Sequence, residues 1–356
     1  MKIFECDACG NLVFFENVKC LQCGHVLGFL PGAMDLSALE PKANDTFEAL
    51  SPAAGGKLHR RCVNSRDREV CNWLVPVEDP NPLCLACRLN VTIPDLAVPG
   101  NLDRWAKMEI AKRRAIHTLL RLDLPREASE NRPPLRFQFL AESSPESPVL
   151  TGHANGLITI NIAEADDDER ERRRISLHEP FRTLLGHFRH ELGHYYWDRL
   201  IANTARLGRF RDLFGDETQD YPKALRVHYE QGPPPDWQAR FVSAYSAAHP
   251  WEDWAESWAH YFHMIDALET ARSYGLSLRP RHTTARALSF EPAGFSDLPE
   301  DFSTLVSNWI PLTHALNSLN RGMGLSDLYP FILSAPALEK LRFVHDVARE
   351  GENSNR

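Results

Sequence analysis

The stretch FRHELGHYYWD, residues 188–198, sets His190, Glu191 and His194 in the pattern H-E-x-x-H. On an α-helix His190 and His194 stand one turn apart on one face, so their ring nitrogens can reach one ion together. Glu191 leans toward the same ion from the adjacent position and can take a proton from water activated there. Gly193 costs a helix about 1 kcal/mol relative to Ala, which suggests that something approaches the backbone closely at that point. Two histidines leave a catalytic zinc one protein ligand short. The fold class therefore turns on whether the rest of the chain supplies the third.

No third histidine follows at the spacing H-E-x-x-H-x-x-G-x-x-H, which leaves a carboxylate. The segment PWEDWAESWAHYFHMIDALET, starting at Pro250, reads as a helix to about Thr270 and offers Glu252, Asp253 and Glu256. Glu252 and Glu256 are one turn apart, and Trp251, Trp254 and Trp258 form an apolar stripe beside them. Tryptophans drive that side of the helix into the core, where an unpartnered carboxylate is expensive. A cation between the two helices resolves the conflict. His260 and His263 continue the carboxylate face and read as satisfied core histidines rather than a second metal site. His249, before Pro250, reads as a cap or packing residue. His187 reads as a surface residue and Asp198 as a helix-end contact.

All eight cysteines lie in the first quarter of the chain. Such crowding without a secretory signal reads as metal binding rather than disulfides. Cys6, Cys9, Cys20 and Cys23 form two C-x-x-C turns, each followed by Gly (Gly10 and Gly24). This is the layout of a closed four-thiolate site for structural zinc or, less commonly, iron. Cys62, Cys71, Cys84 and Cys87 make a second quartet in which only the last pair is a knuckle. His25 and His59 sit nearby but read as bystanders, because eight cysteines already fill two sites. Residues 30–55 look like a loop-rich connection, and metal is expected to supply much of the folding energy of this region.

Further along, LDRWAKMEIAKRRAIHTLLRL reads as a helix with Leu102, Trp105, Met108, Ala111, Ala115, Leu119 and Leu122 on one face. Phe137 to Leu140 and Gly156 to Ala163 read as strands. The charge-dense run 165–174 reads as a solvated loop or helix end. Pro180 to about Ile201 should be the helix carrying the opening motif. Gly232 to Pro235 reads as a rigid break, and residues 275–301 as irregular. Phe302 to Leu319 is helical in pattern, with Pro311 expected to kink or split it, and Ala337 to Arg349 is a last helix.

The 356 residues are too long for one small domain, and 43% apolar with 25% charged residues is ordinary for a soluble protein. No apolar run reaches the roughly 18 residues of a membrane helix, and MKIFECDACG lacks a signal-peptide layout. A cytoplasmic protein with no membrane contact is expected. A net charge of −8 gives no global footprint for nucleic acid. Lys57, Arg60, Arg61, Arg66 and Arg68 are the only candidate basic patch and read as solvated surface.

The segment YSAAHPWEDWAE, residues 245–256, resembles the second half of the active site in anthrax lethal factor and related glutamate-type zincins. There a tyrosine precedes the glutamate ligand by seven residues and E-x-x-A-E follows. The resemblance implies Glu252 as third ligand, Tyr245 as donor to a developing oxyanion, and Glu256 as acceptor for a ligand imidazole. Trp251 and the neighbouring His249 depart from that pattern. Across nearly the full length, CDACG, CNWLV, CLACRLN, HELGHYYW, HPWEDWAESWAH and YPFILS resemble a bacterial family of zinc-binding metallopeptidases with an N-terminal zinc ribbon.

The expected fold class is α+β. A zinc-ribbon region with two four-cysteine sites spans 1–95, and a mostly helical zincin-like domain with a small sheet spans 96–356. The expected function is a zinc peptidase of the gluzincin type, with one catalytic and two structural Zn2+. Glu191 is its general base and a peptide or protein its substrate. The strand at 156–163 is expected to form a cleft edge that pairs with extended peptide. The ribbon could recruit a protein partner. The alternative is a non-catalytic zinc-ribbon protein, or a nucleic-acid-binding module on a degenerate zincin scaffold.

Overall fold

Glycine closes both N-terminal cysteine turns. In the computed structural model, which describes residues 2–142, 149–176, 183–281, 288–291 and 301–351, Gly10 and Gly24 stand at φ +72° and +79°. Their amides reach back to the carbonyls of Cys6 and Cys20 at 2.8 and 2.9 Å, a left-handed closure that favours glycine. The strands β1 (Phe4–Glu5) and β2 (Leu12–Val13) pair antiparallel around the first turn.

The next strands form a five-stranded antiparallel meander. They are β3 (Val26–Leu30), β4 (Asp35–Pro41), β5 (Phe47–Ala49), β6 (Leu58–Arg61) and, after the short helix α1 (Val63–Arg66), β7 (Leu74–Pro76). Residues 30–55 are thus not a loop-rich connection. Their turn formers, such as Pro31, Gly32 and Gly55, sit between strands rather than replacing them. Leu30, Leu39, Phe47, Ala49, Ala54 and Leu74 form an apolar core of their own. Metal is therefore not the only source of folding energy here.

A second sheet is built from β8 (Asn90–Thr92), β9 (Arg136–Leu140), β10 (Gly152–Ala154) and β11 (Leu157–Asn161), in the order β10-β11-β9-β8. β11 runs parallel to β9 and antiparallel to β10. β9 pairs with it over all five residues and β10 over Leu157–Thr159, and the Asn161 amide donates to the Thr151 hydroxyl at 3.2 Å. β11 is thus an interior strand rather than a sheet edge, and the expected cleft-edge role for 156–163 is corrected. Helix α2 (Asn101–Arg121) buries Trp105, Met108, Ala115, Ile116 and Leu119. Leu102, which spacing put on the same stripe, is 40% exposed. Asn101, four residues before Trp105, occupies that face instead and donates to the Asp95 carbonyl at 2.9 Å.

Residues 1–167 form one compact unit and residues 168–356 a second. The charged run is helical, as α3 (Asp167–Ser176). Besides most of α3, the described α-helices of the second unit are α4 (Leu184–Leu200), α5 (Leu207–Phe214), α6 (Tyr221–Gln231), α7 (Pro250–Ser273), α8 (Phe302–Gly322) and α9 (Ala335–Glu350). Helix α4 starts at Leu184, where the Thr183 hydroxyl accepts the Gly186 amide at 2.9 Å. Pro180 lies outside the described residues. Sequence patterning assigns nothing to 202–231, yet α5 and α6 lie there.

Helix α7 is the axis of this unit and packs against α4, α5, α8 and α9. Helix α8 runs through Pro311 without a break. The amide missing at Pro311 leaves the carbonyl of Ser307, an exposed residue, where solvent can satisfy it. The Thr313 hydroxyl donates to the Trp309 and Ile310 carbonyls at 3.1 and 3.0 Å. No helix among the described residues is long and apolar enough to cross a membrane.

Candidate metal centre

Close approach of α4 and α7 creates the centre. A Cβ on Gly193 would sit 2.7 Å from the Ala255 Cα, so only glycine allows this contact. The Trp254 indole donates to the Gly193 carbonyl at 2.8 Å, and Tyr196 stacks on Trp258 with ring centroids 4.9 Å apart. The tryptophan stripe thereby locks the register in which the two histidines of α4 face the carboxylates of α7.

His190, His194 and Glu252 converge, and all three are buried. The two histidine Nε2 atoms are 3.1 Å apart, and Glu252 Oε2 lies 2.9 Å from His190 Nε2 and 3.5 Å from His194 Nε2. A tetrahedral zinc with ligand bonds near 2.0–2.1 Å has edges of about 3.3 Å, so the donor set fits that ion. Glu252 Oε2 has no hydrogen-bond donor among the described residues. Burial opposes a charge on His190, but the Glu252 and Glu256 carboxylates raise its pKa well above the ordinary value. Two imidazole nitrogens and a buried carboxylate oxygen this close together are donors that a divalent cation would satisfy.

Glu256 Oε1 accepts from His190 Nδ1 at 2.8 Å, which turns the Nε2 lone pair toward the other donors. Its other oxygen accepts the Ser243 hydroxyl at 2.6 Å, and Ser243 contacts Ser246 at 2.9 Å. Glu191 is buried beside the histidines, and its Oε2 has no hydrogen bond among the described residues. Tyr245 lies over His190, ring centroids 5.9 Å apart. Burial, then the Glu252 charge, raises its phenol pKa well above the usual range, so it stays protonated.

The other candidates go elsewhere. Asp253 is buried against the Lys340 ammonium at 2.5 Å. His249 caps α7, with Nδ1 accepting the Trp251 amide at 3.1 Å. His260 Nδ1 meets the Tyr329 hydroxyl at 2.6 Å, and His263 Nδ1 meets Arg189 at 2.5 Å. Sequence reasoning missed Tyr221, whose hydroxyl donates to Glu252 Oε1 at 2.5 Å. The triplet Asp220-Tyr221-Pro222 is a helix-start signal, but nothing in it reveals a partner 31 residues later.

Each cysteine quartet is also assembled, with all ligand sulfurs within 4.8 Å of one another. Cys6–Cys23 and Cys9–Cys20 sulfurs are 3.7 Å apart, and Cys71–Cys84 sulfurs 3.6 Å apart. A tetrahedral Zn–S4 site has edges of about 3.8 Å. The irregular second spacing has a structural cause: α1 intervenes between Cys62 and Cys71, and β7 between Cys71 and Cys84. The backbone amide of Cys84 points at Cys62 Sγ at 3.3 Å, and that of Trp73 at Cys71 Sγ at 3.4 Å. His25 is not among the donors of the first quartet, and it bridges Cys23 Sγ at 3.3 Å and Glu40 at 3.0 Å. His59, by contrast, bonds the Lys57 carbonyl at 3.0 Å.

The basic patch is largely engaged within its own surface. Arg60 donates to the carbonyls of Asp79 and Asn81, Arg66 pairs with Asp67 at 2.7 Å, and Arg61 lies 3.9 Å from Asp45.

Two family models match the chain: one described as "Putative zinc-binding metallo-peptidase" over residues 101–347, the other as a zinc-ribbon domain over residues 3–98. The uncharacterized proteins Mb2598c of Mycobacterium bovis and Rv2568c of Mycobacterium tuberculosis are each 44% identical over 351 residues. The alignments cover 98% of this chain and 96% of theirs. No solved structure matches the chain.

Proposed function

Because the chain belongs to this zinc-binding metallo-peptidase family, we propose that it hydrolyses a peptide or amide bond with the group His190, His194 and Glu252 as its catalytic metal site. The observation that carries the reading is the convergence of two imidazole nitrogens and one carboxylate oxygen, with the buried Glu191 next to His190 in the same helix. This is a gluzincin arrangement, H-E-x-x-H plus Glu. The two cysteine quartets would hold two further, structural zinc ions.

Zinc bound here would act as a Lewis acid toward the carbonyl and make water a stronger acid. Every other part falls to side chains of this chain. Glu191 takes the proton from the attacking water and passes it to the leaving nitrogen. Glu256 keeps the His190 ring in the tautomer and orientation that present Nε2. The protonated Tyr245 phenol donates to the carbonyl oxygen as negative charge develops on it.

The test is a peptide-library digest with wild type and Glu191→Gln, each carrying a full metal complement. Cleavage by wild type that is lost in Glu191→Gln is expected. Equal cleavage by both would sink the mechanism.

A further inference from the structure

The two oxygens of Glu252 face different partners. Oε2 points at the histidine nitrogens, 2.9 and 3.5 Å away, and takes no hydrogen bond among the described residues. Oε1 turns aside and accepts the Tyr221 hydroxyl at 2.5 Å. Tyr245, to which the resemblance gives the separate role of donor to the oxyanion, makes no hydrogen bond to Glu252 among the described residues.

Tyr221 is itself fixed. It is the first residue of α6, where the Asp220 carboxylate accepts the Lys223 amide at 3.0 Å and Pro222 sets the backbone. Its ring stands edge-on to His249, centroids 5.1 Å apart at 90°, and to Trp251 at 5.6 Å and 77°. His249 is held in turn by the Trp251 amide and the Gln219 carbonyl. The phenol thus approaches Oε1 from a braced aromatic corner at the start of α7, although α6 buries no residue of its own.

A carboxylate next to a cation can bind through one oxygen or through both. Binding through both fills an additional coordination position, and a catalytic zinc must keep a position open for water. We infer that Tyr221 is a positioning residue: by occupying Oε1 it makes Glu252 present Oε2 alone to the metal and so keeps the water position open. The inference rests on the metal-site reading above and concerns coordination rather than substrate.

The test is Tyr221→Phe in the full chain, a change that keeps the ring against His249 and Trp251. Cobalt(II) is loaded at the histidine site while both cysteine sites retain zinc. Absence of strong thiolate-to-cobalt charge-transfer bands verifies the placement. The visible d–d bands are then read, because they weaken as coordination number rises. The bands should weaken in Tyr221→Phe and stay at wild-type intensity in Tyr245→Phe. The substitution should also lower kcat by about 10- to 100-fold with KM nearly unchanged. Unaltered cobalt bands in Tyr221→Phe, or an equal change in Tyr245→Phe, overturns the inference. Because the spectrum needs no turnover, an inactive wild type would count against the peptidase reading alone.

Discussion

A Cβ placed on Gly193 would lie 2.7 Å from the Cα of Ala255. That contact is between backbones, so no side-chain rotation relieves it. Gly193→Ala must push α4 and α7 apart, and His190 and His194 stand on one of those helices while Glu252 stands on the other. Overpacking of this kind costs about 1–3 kcal/mol. A lower melting temperature is expected, together with weaker metal binding at the histidine site and unchanged metal in the cysteine sites. Differential scanning calorimetry and metal analysis after dialysis check this. Wild-type affinity in Gly193→Ala would show that the close approach does not set the site.

Two adjacent acids on α7 should separate cleanly. Glu252→Ala should leave two zinc ions per chain instead of three, with little loss of stability in the metal-free protein. Asp253→Ala should keep all three ions, because Asp253 points to Lys340 rather than to the histidines. It leaves a buried ammonium without its carboxylate, a change that costs about 3–5 kcal/mol. Zinc stoichiometry by atomic emission and urea unfolding of the two variants distinguish the roles. Loss of the third zinc in Asp253→Ala would reverse them.

What the sequence discloses and what it hides follow from the range of each signal. The spacing of His190, Glu191 and His194 is local, and the tryptophan stripe of α7 is periodic, so both are legible. The α+β class and the cysteine quartets follow for the same reason. Strands β4 and β5 are obscured because short strands between Pro and Gly turns share the composition of loops. The partners of β11 depend on pairing with residues far away in sequence, which a single strand does not encode. Tyr221 escapes notice because its meaning lies in the packing of α6 near the start of α7. Lys340 gives Asp253 its partner from 87 residues away.

The cysteine quartets should lose metal in a fixed order. In the first, Cys9 and Cys23 are exposed, whereas all four cysteines of the second are buried. A chelator must reach the thiolates as they open, so the first quartet should release its zinc faster. Stopped-flow release to a chromophoric chelator should resolve separate phases for the two quartets. Cys9→Ser should remove the faster of these and Cys71→Ser the slower. A single phase from both quartets would contradict the difference in exposure.

The chain from Ser243 through Glu256 to His190 makes a prediction about coupling. Ser243 donates to one Glu256 oxygen at 2.6 Å, and the other oxygen accepts from His190 Nδ1 at 2.8 Å. Glu256→Gln keeps the shape but loses the negative charge that favours an Nδ1 donor, so zinc affinity should fall by about 10- to 100-fold. Ser243→Ala removes only the support for Glu256, and its effect should be smaller. Once Glu256 is Gln, the serine has little left to transmit, so the double variant should resemble Glu256→Gln alone. Zinc affinities of the four proteins, measured by competition with a chelator of known strength, close the double-mutant cycle. Free-energy losses that simply add would mean that Ser243 acts on the site by a route other than Glu256.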